Sequence, residues 1–295
     1  MIKKQRKQSL VISAYKDKDN LYKIIEWGKD YFNIFIHIDK RSKVYTKQDI
    51  INLNMIDGVM AILKYRIVWG GMNHLYALLE ISKLAINYTI DNGYIHLISG
   101  QDLPLKSTRE FDLFFSNKDT LFLGCEEKIT FNNIVNERWM YWNLFPKFDG
   151  RKRYSRCLRK ISIIIQKKLG IKRKQLGNFE NLGKGLVWCS LPKQDLNYAI
   201  DYLEKNKSFK KDLEKTFIPE EFFFQSIFIN TVSIKKRISN INLRFSEWIY
   251  RNGSIPAYLD MNDYNKVMNG DFFFARKVDS NISSDLITNV YLKIM

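Results

Sequence analysis

Two short stretches of this 295-residue chain carry residue types that could do chemistry together. The first is Pro219-Glu220-Glu221, a pair of carboxylates where an apolar run resumes. Either acid could take a proton from a hydroxyl, or simply complement the positive end of a helix that begins after the proline. The second is Arg276-Lys277, a basic pair behind Phe272-Phe273-Phe274-Ala275. Arginine can offer paired N–H donors to phosphate oxygens and lysine a movable point charge, so the pair would suit an anionic leaving group; it could equally be a solvated pair beside Asp279. Asp17-Lys18-Asp19 has the Asp-x-Asp spacing that can hold a divalent metal on a diphosphate. Directly after an apolar strand pattern, it reads better as acids at a helix start. No other spacing of His, Asp and Glu suggests a metal. His37, His74 and His96 are dispersed, and His37 and His96 sit inside strand patterns, where a satisfied core histidine is expected. Cys125, Cys157 and Cys189 have no metal-ligand spacing and are too few for a disulfide scaffold. Neither a phosphate-binding Gly-x-x-x-x-Gly-Lys loop nor a Gly-x-Ser-x-Gly elbow occurs.

Groups so far apart in sequence need a frame to bring them together. Apolar β-rich runs at 10–15, 32–39, 58–63 and 94–99 alternate with helical patterns, including Leu75, Leu78, Leu79, Ile81, Leu84 and Ala85 at helical spacing over 73–89. That alternation predicts an α/β fold with a mainly parallel sheet. A strand over 186–191, a helix over 195–206 and a helix over 219–232 follow. No repeat or flexible linker divides the chain, so one domain over 1–295 is expected. Ligands of open α/β sheets bind beyond the carboxyl ends of the strands, which makes Tyr15-Lys16-Asp17, Asp39-Lys40-Arg41 and Ser99-Gly100-Gln101-Asp102 the residues to watch.

The chain has 48 Lys and Arg against 31 Asp and Glu, a net charge of +17, with 45% hydrophobic and 14% aromatic residues. That is ample for a core and excludes global disorder. Nucleic acid, an anionic membrane and a phosphorylated small molecule are all candidate partners for the charge. Its distribution narrows them. Residues 150–175 hold eleven Lys and Arg and no acid, and with Lys3, Lys4, Arg6 and Lys7 they account for fifteen of the net seventeen. The cations are clustered rather than interleaved with stacking aromatics, and no nucleic-acid recognition motif is present, so no nucleic-acid partner is expected. If 155–169 is a helix, Leu158, Ile161, Ile165 and Leu169 share one face and Arg156, Arg159, Lys160 and Lys167 the other. Such a segment is either a core helix with a solvated basic face or a surface for an anionic membrane. No apolar run approaches a membrane span, and the run after the basic start is too short for a signal peptide and reads as a buried strand. A cytoplasmic protein, peripheral on the inner face of the plasma membrane at most, is expected.

The segments Phe35-Ile36-His37-Ile38-Asp39-Lys40-Arg41, Val68-Trp69-Gly70-Gly71, Leu97-Ile98-Ser99-Gly100-Gln101-Asp102-Leu103-Pro104, Ile218-Pro219-Glu220-Glu221, Leu243-Arg244-Phe245-Ser246-Glu247-Trp248 and Phe274-Ala275-Arg276-Lys277 occur in this order. Taken together they resemble glycosyltransferase family 14, the core-2/I-branching β-1,6-N-acetylglucosaminyltransferases and peptide O-xylosyltransferases, over residues 9–279. The resemblance implies a GT-A fold, a UDP-sugar donor (UDP-GlcNAc first among them), a glycan or lipid-linked glycan acceptor, and an inverting transfer without metal or other cofactor. It carries the catalytic base onto Glu221, with Glu220 and Trp188 toward the acceptor. Diphosphate binding falls on Arg276 and Lys277, with Arg244 a further contributor that could instead pair with Glu247. Asp39 would contact the uridine, and Trp69, Gly70 and Gly71 would give a close backbone approach to the donor. Asp102 would orient either the donor sugar or the turn before Pro104.

Two departures stand out. Tyr15 stands where some relatives have His, and Val187 precedes Trp188 where the xylosyltransferases have Asp. The extracellular-compartment relatives carry a membrane anchor and disulfides, of which this sequence shows neither, so a bacterial-type member acting in surface polysaccharide synthesis is expected.

Overall fold

The computed structural model describes residues 5–295. Lys3 and Lys4 lie outside them. Its strands are β1 (Arg6–Ala14), β2 (Asn33–Ile38), β3 (Val59–Ile62), β4 (Thr89–Ser99), β5 (Asp102–Pro104), β6 (Leu121–Phe122), β7 (Glu126–Glu127), β8 (Gly183–Lys184), β9 (Ser190–Pro192), β10 (Ile238–Ser239), β11 (Arg244–Ser246) and β12 (Phe274–Arg276). The helices are α1 (Lys18–Gly28), α2 (Lys47–Met55), α3 (Asn73–Tyr88), α4 (Thr108–Phe115), α5 (Asn133–Met140), α6 (Arg153–Lys168), α7 (Lys193–Lys205), α8 (Lys207–Glu214), α9 (Glu220–Ile229), α10 (Val232–Lys235), α11 (Tyr264–Asn269) and α12 (Ser284–Ile294).

Seven strands form the central sheet in the order β10-β6-β9-β4-β1-β2-β3, with β9 antiparallel to both neighbours and every other pair parallel. This is the expected α/β, mainly parallel layout. Strand side chains alternate between faces, so each strand feeds two cores. Leu10, Ile12, Ile34, Ile36, Tyr94 and Ile98 pack toward α1, α4, α11 and α12, whereas Val11, Phe35, Ile95 and Leu97 pack toward α3, α7 and α9. A smaller sheet, β11-β12-β5, pairs Arg276 directly with Asp102 across antiparallel strands.

The expected core histidines are found. His96 bridges Ser190 Oγ and Gln8 Oε1, both at 2.7 Å, and burial holds it well below the usual histidine range. His37 Nε2 accepts from the Tyr65 amide at 3.0 Å, and burial lowers it to about 4. Two boundaries differ from expectation. β4 begins at Thr89, five residues early, because the pairing with β1 jumps from Arg6–Thr89 to Gln8–Tyr94 across an irregularity. The strand expected over 186–191 is reduced to Ser190–Pro192, since the backbone of Gly185 and Leu186 bonds to α9 instead: Gly185 N donates to Glu221 O and Leu186 O accepts from Gln225.

The helix over 153–168 is present, but a core helix with a solvated basic face it is not. Its inward residues are Ser155, Ser162, Ile163 and Gln166, while Ile161, Ile165 and Leu169 are exposed and Leu158 is half-buried. The polar face turns inward because it meets a loop whose backbone needs partners: Gln166 accepts from the Trp142 amide at 2.8 Å and donates to its carbonyl at 3.0 Å. The helix ends in a left-handed Gly170, with Ile171 N bonded to Gln166 O and Gly170 N to Lys167 O. Among the described residues no helix is long and apolar enough to cross a membrane.

Candidate active site

Glu221 owes its position to a turn remote in sequence. Gly70 is left-handed (φ 85°), and its carbonyl accepts from the amide of Ile218, itself left-handed (φ 57°), just before α9. A Cβ on Gly70 would lie 2.3 Å from the Phe217 ring, and one on Gly71 would lie 2.6 Å from the Pro146 carbonyl. The glycines therefore make room for protein, Phe217 and Pro146, where the sequence reading had them making room for a ligand. Trp69 meets Phe217 edge-on at 5.4 Å. Phe217 N in turn donates to Arg138 O on α5, and the Arg138 guanidinium donates to Glu221 Oε2 at 2.8 Å.

Burial pushes the Glu221 carboxyl above the usual carboxylate range, with Arg138 and Lys184 pulling it back. A carboxylate fixed by one oxygen, with raised proton affinity and an open edge, is suited to accepting a proton. Its neighbour Glu220 is buried: one oxygen meets His74 Nδ1 at 3.1 Å and the other, Oε2, has no hydrogen-bond partner among the described residues. The His74 ring lies 5.5 Å from Trp188.

Trp188 joins the acidic side to the basic one. The Arg276 guanidinium sits over its ring at 4.7 Å. Arg276 is buried, its Nε 3.8 Å from Asp102 Oδ1, and among the described residues neither Nε nor Nη1 has a hydrogen-bond acceptor. Asp102 is fully buried, accepting from Ser99 N at 3.1 Å and Ser99 Oγ at 2.6 Å. Of its two expected tasks it performs the bracing of the turn, and it adds a counter-charge behind Arg276. Lys277 Nζ reaches Ser254 Oγ at 3.0 Å, and burial, followed by the nearby charges of Arg276, Lys16 and Arg151, lowers its amine to about 8. Lys16 is steered by the Tyr258 hydroxyl at 2.7 Å and Asp279 at 3.3 Å. Arg276, Lys277, Lys16 and Arg151 thus come near one another, with Asp102, Asp279 and Asp149 as their counter-charges.

Beside them a cleft of about 440 Å³ opens at the ends of β1 and β2, lined by Tyr15, Asp39, Arg41, Asp149 and Arg151 among others. Asp39 forms part of its wall: Oδ1 accepts from the amides of Arg41 (2.9 Å) and Ile67 (3.0 Å), and Oδ2 is 3.6 Å from Arg41 Nε. Asp149, gripped through both oxygens by Arg151, is held down at about 2. Gly150 N donates to Trp69 O at 3.0 Å, which ties this cleft to the Gly70 turn.

Arg244 does not join the cations. It lies in the interior, donating to the carbonyls of Cys189 (2.7 Å) and Asn242 (2.6 Å) and to Ser190 Oγ (2.9 Å), so it is a scaffold residue. Nor does it pair with Glu247, which takes Lys266 at 3.2 Å. Asp17 caps α1 through the Asn20 amide at 3.2 Å and also accepts from the Ser280 amide at 2.9 Å, in keeping with acids at a helix start. Sequence reasoning missed Arg138 entirely, and saw His74 only as one of three dispersed histidines, without its pairing to Glu220. Lys16 and Arg41 carried a signal, their place just past a strand end, and Arg151 was visible only as part of the basic run.

Residues 10–267 match the family described as Core-2/I-Branching enzyme. The chain is also 20% identical over 276 residues to a xylosyltransferase (sqv-6) of Caenorhabditis briggsae, an alignment covering 86% of this chain and 32% of that protein. The chain thus spans about a third of the length of this relative. With the match running from within the first strand to α11 and taking in the cleft and the Glu221 turn, the chain belongs to the core-2/I-branching enzyme family of glycosyltransferases.

Proposed function

We propose that the protein transfers a sugar from a UDP-sugar to a hydroxyl of a glycan acceptor, with inversion at the anomeric carbon and without a metal. The observation that carries this reading is the buried Arg276 guanidinium, with two donor nitrogens unpartnered, standing beside Lys277 and across Trp188 from the Glu220–Glu221 corner. Preorganised cations at that place can take up charge as it develops on a leaving diphosphate.

In the proposed step, Glu221 accepts the proton of the acceptor hydroxyl, whose oxygen bonds to the anomeric carbon. The bond from that carbon to the diphosphate oxygen breaks, and its electron pair leaves with the UDP. Arg276 and Lys277, with Lys16 and Arg151 behind them, stabilise that charge. Asp39 in the cleft wall can accept from the uracil N–H or a ribose hydroxyl. Trp188 and Glu220 are proposed to shape the acceptor side from behind, both buried and linked through His74.

GlcNAc is the proposed donor sugar, with xylose, after the relative's name, the competing choice. The acceptor is proposed to be a bacterial surface glycan, free or lipid-linked, met on the cytoplasmic side of the membrane with residues 150–175 toward the lipid.

The test is transfer or donor hydrolysis with UDP-GlcNAc and UDP-xylose, with and without EDTA. Activity should persist in EDTA, and Glu221→Gln should reduce it about 10²–10⁴-fold. Full activity in Glu221→Gln would remove it as the base. Loss in EDTA restored by a divalent cation would overturn the role given to Arg276 and Lys277, and absence of any UDP affinity would sink the whole reading.

A further inference from the structure

Helix α6 faces the wrong way for a core helix. Ile161, Ile164, Ile165 and Leu169 are 48–67% exposed, and Tyr154 extends the same ridge two turns earlier at 56%. Exposed aliphatic side chains at i, i+3, i+4 and i+8 form a continuous apolar stripe. Along its flank run Arg153, Arg156, Lys160 and Lys168, which have no ion pair or side-chain hydrogen bond among the described residues. The two acids nearest the helix are already taken, Asp149 by Arg151 and Glu137 by Lys167. An apolar ridge bordered by unpaired cations complements a bilayer with anionic headgroups: the ridge enters the headgroup–acyl boundary while the cations meet phosphates.

The geometry points to α6 as an in-plane anchor that lays this protein on an anionic lipid surface, its apolar ridge inserted. A second copy of the chain is a poor occupant, because pairing two such ridges would bring two eleven-cation segments together. The start of α6 follows directly from Arg151 and Lys152 at the wall of the cleft, so docking would set the cleft alongside the bilayer. That last point deepens the transferase reading and rests on it; the docking does not.

The experiment is co-sedimentation of the full chain with phosphatidylglycerol-containing vesicles and with pure phosphatidylcholine vesicles, at low and high salt. It uses wild type, Ile161→Ser/Ile165→Ser and Lys160→Ser/Lys168→Ser, with light scattering for oligomeric state and donor hydrolysis in solution for integrity. We expect salt-sensitive binding to the anionic vesicles only, weakened about thirtyfold by the isoleucine pair and made less salt-dependent by the lysine pair. Melting temperature and hydrolysis should be unchanged in both variants. No binding to anionic vesicles, binding indifferent to both variants, or a dimer abolished by Ile161→Ser/Ile165→Ser would each overturn the inference. Hydrolysis without vesicle binding would defeat the anchor alone, and vesicle binding without hydrolysis would defeat the transferase reading alone.

Discussion

Replacing Arg138 by glutamine removes the cation that steadies Glu221 while leaving the Arg138 backbone, and so its bond to Phe217 N, in place. The pair is 2.8 Å apart, with the two side chains only 20% and 22% exposed. A hydrogen bond to a charged group in such a setting contributes about 1.5–3 kcal/mol, and the partial exposure argues for the lower half of that range. The proton should therefore leave Glu221 at a higher pH in the variant. The direction follows from the site: burial already raises this carboxyl and Arg138 acts against it, so losing Arg138 raises it further. A general base works only when deprotonated. Activity should therefore fall about tenfold below the acid limb of the kcat/KM profile and return toward wild type at alkaline pH. The assay is kcat/KM for transfer against pH, with Arg138→Lys expected to restore most of the profile. A uniform loss at every pH, with the acid limb unmoved, would refute the reasoning and leave Arg138 a purely steric support.

Three further outcomes follow from the same geometry. Lys277 is lowered to about 8 when free, first by burial, and a bound diphosphate would favour its charged form; UDP affinity measured by calorimetry should be flat below that pH and fall above it, with proton uptake on binding, and a flat profile to pH 10 would remove Lys277 from the phosphate site. Gly70→Ala adds a Cβ 2.3 Å from the Phe217 ring at a φ of 85°, costing about 2–4 kcal/mol. Its melting temperature should drop by roughly 5–15 °C, and an unchanged melt would show that the turn is not fixed as described. Arg244→Met strands the Asn242 carbonyl and takes one of two donors from the Cys189 carbonyl, which keeps the Leu97 amide; the loss of about 2 kcal/mol should be seen in urea unfolding while the folded protein keeps its UDP affinity, and lost affinity without lost stability would return Arg244 to the donor site.

The frame was legible because it is written in short-range patterns. The strands at Leu10 and Phe35 announce themselves by apolar runs, and the helix at Leu75–Ala85 by its 3.6-residue spacing. Glu221, Arg276 and Lys277 were singled out through ordered motifs, and the structure sets Arg276 over Trp188 and puts His74, the partner of Glu220, against the same tryptophan. What stayed hidden depends on side-chain direction and long-range pairing. Arg138 lies in Asn-Glu-Arg-Trp, which carries no signal, and matters only because Phe217 docks on its carbonyl 79 residues later. Arg244 sits in a motif, yet three inward hydrogen bonds make it scaffold. Residues 155–169 show the limit most clearly, since an amphipathic pattern says that two faces differ and not which one faces in.

Phe217 fills the space that side chains at positions 70 and 150 would need, since a Cβ on Gly150 would also fall 2.8 Å from its ring, and Arg159 of α6 caps it at 4.0 Å. Mutational tolerance at these sites is therefore not a property of each alone. A Cβ at 150 would also fall 2.9 Å from the Trp69 ring, so alanine there needs both 217 and 69 to give way, whereas the left-handed backbone at 70 keeps glycine in force whatever stands at 217. Among drifting sequences, position 150 should covary with 69 and 217 together and position 70 should not, an epistasis imposed by two touching aromatic rings.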